Sequence, residues 1–165
     1  WIFLTLALAI AMSIPAVNVY THGTHITVAH TMGATIGINS FLLLAIAFDI
    51  LHDTCTPLSV KNIKWLKRGY VTVNISLLIF WISLIAAGVL KARWQMQETA
   101  LPFSSMMQML KPYFIVFFIS GFTMATGFFL ILYPLLKNQA ACYFKYLVNK
   151  PKTKGNLLPV QLIVE

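Results

Sequence analysis

From Gly69 to Leu90, and again from Pro112 to Leu136, the chain carries no charged residue. A helix crossing a bilayer needs about 20 mostly apolar residues. Lipid offers the backbone no hydrogen-bond partners, so only helices and closed barrels span it. Uninterrupted apolar runs of this length select the helix. Three full spans are expected, at 24–50, 70–90 and 112–136. The opening run "WIFLTLALAIAMS" is shorter and ends near Pro15. Proline removes a backbone donor, so 1–15 reads as the end of a truncated transmembrane helix and 16–23 as an outer turn. No charged n-region precedes the run, which argues against a signal peptide. The chain opens inside an apolar run without methionine and is expected to be a C-terminal fragment, or to lack its start.

Composition agrees. Charged residues make up 10% of the chain, against roughly 25% in soluble domains, which excludes an ordinary soluble fold. In a soluble protein the formal charge of +8 would point to nucleic acid. Here the basic residues flank apolar spans, so the expected partner is membrane lipid and no nucleic acid is expected. The segment 51–69 holds Lys61, Lys64, Lys67 and Arg68, and the tail 137–165 holds Lys137, Lys145, Lys150, Lys152 and Lys154. The opposite loop, 91–111, holds only Lys91, Arg93 and Lys111. Nine basic residues against three place 51–69 and the tail in the cytoplasm by the positive-inside rule. The turn at His22 then faces outward. Trp65, Trp94 and Tyr113 fall near span ends, where amphipathic rings prefer the interface; Trp81 lies too deep for that. Cys55 and Cys142 both fall on the expected cytoplasmic side, where a disulfide is not expected. Two isolated cysteines are too few for a zinc site. The tail reads as a surface arm.

The chemistry concentrates at "THGTHITVAHTMGATIG", residues 21–37, which holds three of the chain's four histidines. Counted inward from His22 at about 1.5 Å per residue, His30 lies roughly 12 Å deep. An ionisable side chain inside the hydrocarbon is costly and by default faces protein, a cofactor or water. Imidazole is the commonest metal ligand and the usual axial ligand of haem iron. Met32 carries a thioether, which completes His/Met haems in some cytochromes. At about 100° per residue, His30 and Met32 point some 200° apart. One metal cannot take both, whereas two planar cofactors on opposite flanks can each take one. Ala29, Gly33 and Gly37 recur every four residues as a small-residue stripe. A helix-interior glycine costs about 1 kcal/mol against alanine, so the stripe needs a packing reason, either a flat cofactor or another helix. Each residue also has an ordinary reading: His30 hydrogen-bonded to a neighbouring helix, Met32 as core filler, His22 and His25 as surface polar groups. Thr27, Thr31, Thr35 and Asn39 fall on successive turns and line a proton or water route, or else bond their own backbone.

Taken together, "YTHGTHITVAHTMGATIG" resembles the start of the tenth helix in the catalytic subunit of bacterial nitric oxide reductase, a branch of the haem–copper oxidase superfamily. There a "THGT" turn leads, eight residues on from its histidine, to a His-x-His pair. The resemblance implies that His30 binds the iron of the high-spin, active-site haem. It also implies that His22 lies among the haem propionates at the outer surface. His25 inherits no role. Met32 departs from the pattern, standing where the family has the histidine of the low-spin haem. Either that haem has His/Met ligation, the reading favoured here, or it is absent or differently held. "VNISLLIFWISLIAAGVLKARWQ" is similar to the family's eleventh helix and "LPFSSMMQMLKPYFIVFFISGFTMATGFFLILYPL" to its last loop and twelfth helix.

The resemblance implies an all-α integral membrane bundle, the C-terminal helices of a haem–copper oxidase-like subunit I in the cell inner membrane. It implies two haems b, high-spin and low-spin, and a non-haem iron whose ligands belong to upstream helices outside this chain. Those upstream helices, and cytochrome c or a quinol as electron donor, are the implied partners. The implied reaction joins two nitric oxide molecules with two electrons and two protons, giving nitrous oxide and water. No catalytic residue falls in this fragment, and it is inactive without the upstream helices. The alternatives are an oxygen-reducing haem–copper oxidase subunit I, or a cofactor-free membrane anchor or assembly subunit.

Overall fold

A computed structural model describes residues 1–54, 58–97 and 102–149. The described residues are helical almost throughout, with no strand. Helix α1 spans Ile2–Ser13 and α2 spans Pro15–Thr21. Their axes bend by 102°. The cause is local: Ile14 is extended (φ −72°, ψ 121°) and Pro15 opens the new helix. Proline is suited to a first helical turn, where its missing N–H costs nothing. The expected turn at 16–23 therefore contains a short helix.

The next rod is built of three pieces. Helix α3, His25–Met32, passes into a π-helical segment, Gly33–Ser40, and then into α4, Phe41–Thr54. Helix α5 is Val60–Gln95 and α6 is Phe103–Asn149. Three stretches are long and apolar enough to cross a membrane: His25–Asp53, Val60–Gln95 and Phe103–Lys145. The long helices outrun the apolar runs at both ends. Val60–Arg68 is the opening of α5, and Phe103–Lys111 the opening of α6. Lysine, arginine, methionine and glutamine are strong helix formers, so charge ends the apolar run without ending the helix. Pro112 and Pro134 both lie inside α6. Part of the expected tail, up to Asn149, belongs to α6; the remainder of the arm lies outside the described residues. Cys142 is disulfide-bonded, contrary to the free thiol expected from the charge-based topology. Cys55, the only other cysteine, lies outside the described residues.

Helices α5 and α6 make the most extensive interhelix contact. Val73, Leu77, Phe80 and Leu84 repeat at helical spacing along one face of α5 and meet Met124, Ile131 and Leu135 of α6. Phe80 stacks on Phe117 at 4.4 Å between ring centroids. At the Val60 end the two backbones come together at glycines. A Cβ on Gly69 would lie 2.8 Å from the Gly127 carbonyl oxygen. Lipid tails are as apolar as leucine, so helices in a bilayer are held by close packing rather than by a hydrophobic drive. Glycine permits that approach. Buried Ser76, Ser83 and Ser120 each donate their hydroxyl to a carbonyl of their own helix, so these three hydroxyls are paired. Helix α3 packs on the other end of α5, where Ile26 covers Gly88 and Ala29 is wholly buried.

Candidate functional site

The turn between α2 and α3 is assembled from hydrogen bonds the sequence encodes locally. His22 is extended and exposed, and Gly23 has φ 70°. That left-handed conformation suits glycine; a Cβ there would touch nothing within 4 Å, so the demand comes from the backbone and not from crowding. Thr24 caps α3: its hydroxyl oxygen accepts from the Ile26 N–H at 3.3 Å and its O–H donates to the Thr21 carbonyl at 2.6 Å. Such a cap contributes about 1 kcal/mol. The Thr27 hydroxyl also donates to the Thr21 carbonyl. Lys91 Nζ, near the end of α5, donates to the Gly23 carbonyl at 2.9 Å and ties the turn to the central helix.

Helix α3 starts at His25, one residue after the expected start of the span, and His30 lies about 7.5 Å along it from that first residue. The His25 ring is half-buried and tilted against Phe114, 5.2 Å between centroids. His30 is half-buried as well. Nδ1 of each ring is buried and has no hydrogen-bond partner. A buried unpaired polar atom costs about 1–3 kcal/mol. These two imidazoles are thus incompletely satisfied by the protein, in contrast to the serines of the α5–α6 seam.

The face of the rod between His30 and Met32 is filled. A Cβ on Gly33 would meet the Thr5 methyl and lie 3.2 Å from Trp81 Nε1; one on Gly37 would lie 2.7 Å from the Trp1 ring. Trp1 is fixed in turn by its Nε1–H donating to Asn74 Oδ1 at 3.0 Å, and it meets Trp81 edge-on. Of the two packing reasons open for the small-residue stripe, the one realised is helix contact, by α1 and α5. His30 and Met32 flank this seam on either side. Met32 is half-buried and packs against the core cluster, so its sulfur side is already in apolar company.

These features decide the fit to haem residue by residue. His30 would fit an axial role through Nε2, because its unpartnered Nδ1 is buried. Met32 suits one only if its thioether leaves its present packing. His22 is exposed at the turn, eight residues before His30 in sequence, and among the described residues no group of three or more His, Cys, Asp or Glu side chains gathers as a metal site. Thr27 and Thr31 donate to backbone carbonyls, while Thr31, Thr35 and Asn39 are exposed on the side of the rod away from the seam.

The sequence did not point to Lys91 as a clamp, to Phe114 beside His25, or to Trp81, whose buried Nε1 is unpartnered. Trp81 had one signal, an indole too deep for the interface; the other two have no local signature. Nor did it show that the helix changes to π geometry directly after Met32, where the Ser40 hydroxyl donates to the Thr35 carbonyl five residues back. No family model matches the chain, and neither the curated proteins nor the solved structures contain a significant match to it.

Proposed function

We propose that this chain is the haem-carrying C-terminal helix set of a membrane respiratory reductase similar to bacterial nitric oxide reductase. It lies in the cell inner membrane with the His22 turn outside and the tail in the cytoplasm. The observation that carries the reading is His30: a half-buried imidazole with an unpartnered nitrogen, eight residues beyond the histidine of a "THGT" turn. His30 would hold the iron of the high-spin haem b, Met32 that of the low-spin haem b, and His22 would lie near the propionates. Bound there, haem iron supplies electron transfer and a site for nitric oxide. Joining two nitric oxide molecules consumes two electrons and two protons and yields nitrous oxide and water. The chain's own residues hold and orient: the Thr24 cap and the Lys91 clamp fix the start of α3, and Gly88 seats it on α5. The second, non-haem iron and its ligands belong to upstream helices, and the electrons come from cytochrome c or a quinol. An oxygen-reducing subunit I shares this scaffold; the oxidases' signature has aromatic residues after "HDT", whereas this chain has "HGTHIT", which favours nitric oxide.

A second reading is a membrane anchor or assembly subunit without cofactor. The filling of the stripe by Thr5, Trp1 and Trp81 favours it, because it gives the glycines a purpose that needs no haem. A reduced-minus-oxidised optical spectrum of the protein purified from its own membranes separates the two. The haem reading expects b-type bands, with about half the intensity lost in His30→Ala. A folded, colourless protein would leave the anchor.

A further inference from the structure

We infer that the Val60 end of α5 and the groove beneath it form a binding site for one anionic phospholipid. The inference rests on the membrane placement proposed above and not on the haem reading. At about 100° per residue, Lys61, Lys64, Lys67 and Arg68 fall within roughly 120° of the helix surface. Leu66, Gly69 and Val73, which turn toward α6, lie on the opposite side. All four cations are exposed, and none forms an ion pair with a described residue. The cluster stands at the edge of the uncharged run that starts at Gly69, which places it at headgroup level.

Directly below the cations on the same face lies an apolar groove between α5 and α6. Its walls are Val71, Ile75 and Ile79 on one side and Val116 and Ile119 on the other, and Ser76 and Ser120 are among the residues lining it. Those two serines are 3% and 5% exposed, which is what makes them a floor. Their short side chains create the groove. The Ser76 hydroxyl donates to the Thr72 carbonyl at 2.7 Å and that of Ser120 to the Val116 carbonyl at 2.8 Å. The hydroxyl hydrogens are thus turned back onto the helices, and the groove offers hydrocarbon to whatever fills it. From Thr72 to Ile79 the groove runs about 10 Å along the axis. A cationic cap above a hydrocarbon channel of that form matches a phosphate headgroup above an acyl chain. Juxtamembrane basic clusters attract anionic headgroups at about fivefold per Lys or Arg. Charge complementarity selects the anionic lipid over a zwitterionic one, and the continuity of cap and groove selects a lipid over free phosphate.

The test is native mass spectrometry of the full chain in mild detergent, equilibrated with phosphatidylglycerol or with phosphatidylcholine. One phosphatidylglycerol per chain should be retained, at least tenfold more tightly than phosphatidylcholine. Lys64→Gln with Arg68→Gln, both on the exposed face, should weaken phosphatidylglycerol about thirtyfold and leave phosphatidylcholine unchanged. Ser120→Leu, which fills the groove, should reduce retention of both. Equal retention of the two lipids, an unaffected double variant, or displacement by inorganic phosphate would each overturn the site. Alkaline carbonate extraction of the same cells separates the premises: a chain released to the soluble phase overturns the membrane placement, and a retained chain without lipid preference overturns the lipid site alone.

Discussion

His30 and Met32 stand two residues apart and do different amounts of structural work. Met32 contributes its side chain to packing against the core cluster, whereas His30 leaves a ring nitrogen buried and unpaired. Methionine adapts to irregular gaps, so Met32→His introduces a polar ring where the packing is apolar. If the thioether is an iron ligand, the new imidazole takes its place. Thioether ligation raises a haem's potential, so the low-spin haem should remain bound with a potential lower by on the order of 100 mV, read by redox titration. An unchanged potential would show that sulfur does not bind iron. Gly88 tests the other half of the site. A Cβ there would stand 2.7 Å from the Ile26 backbone nitrogen and 3.3 Å from the His25 carbonyl carbon. Gly88→Ala must therefore push the first turn of α3 off α5. The cost should be about 1–3 kcal/mol, the range for overpacking a close contact, measured as a lowered melting temperature in detergent. If His30 binds haem, the same variant should also perturb the b-type spectrum, although residue 88 touches no ligand.

Among the elements, the α5–α6 pair bears most of the packing, and its closest approach is the Gly69–Gly127 crossing. Gly69→Leu places a branched side chain against the Gly127 carbonyl, Ile131 and Leu130. It should destabilise the pair by about 1–3 kcal/mol or more, whereas Val71→Leu on the exposed side should be neutral within about 0.5 kcal/mol; thermal unfolding in the same detergent compares them. How much of this was legible follows from what each signal measures. Hydropathy reports where charge is absent, so the runs at 70–90 and 112–136 stood out, and both lie inside observed helices. It does not report where a helix ends, because "VKNIKWLKR" and "FSSMMQMLK" are polar yet helix-compatible. The Thr24 cap and the Gly23 turn sit in a four-residue motif, a local signature that hydropathy does not weigh. The π-helical stretch at Gly33–Ser40 was not, since its hydrogen-bond register depends on how Trp1, Thr5 and Trp81 press on two glycines from elsewhere in the chain. The Lys91 clamp spans 68 residues, and no local pattern announces it.

For the molecule as a whole, two features pull the topology in opposite directions. The distribution of lysine and arginine, nine against three, favours the proposed orientation, with the Val60 end of α5 and the far end of α6 in the cytoplasm. Cys142, on that same stretch of α6, is disulfide-bonded, a state that persists in oxidising compartments and is uncommon in the cytosol. The charge asymmetry acts during insertion, when orientation is chosen, and it involves many residues; a thiol is oxidised afterwards and responds to whichever compartment it meets. Orientation should therefore follow charge. Green fluorescent protein fused after Glu165 should fluoresce, because it matures only on the cytoplasmic side. A dark fusion would place this end outside. It would reverse the assignment of the His22 turn and move the proposed lipid site to the opposite leaflet, without altering a single contact between the helices.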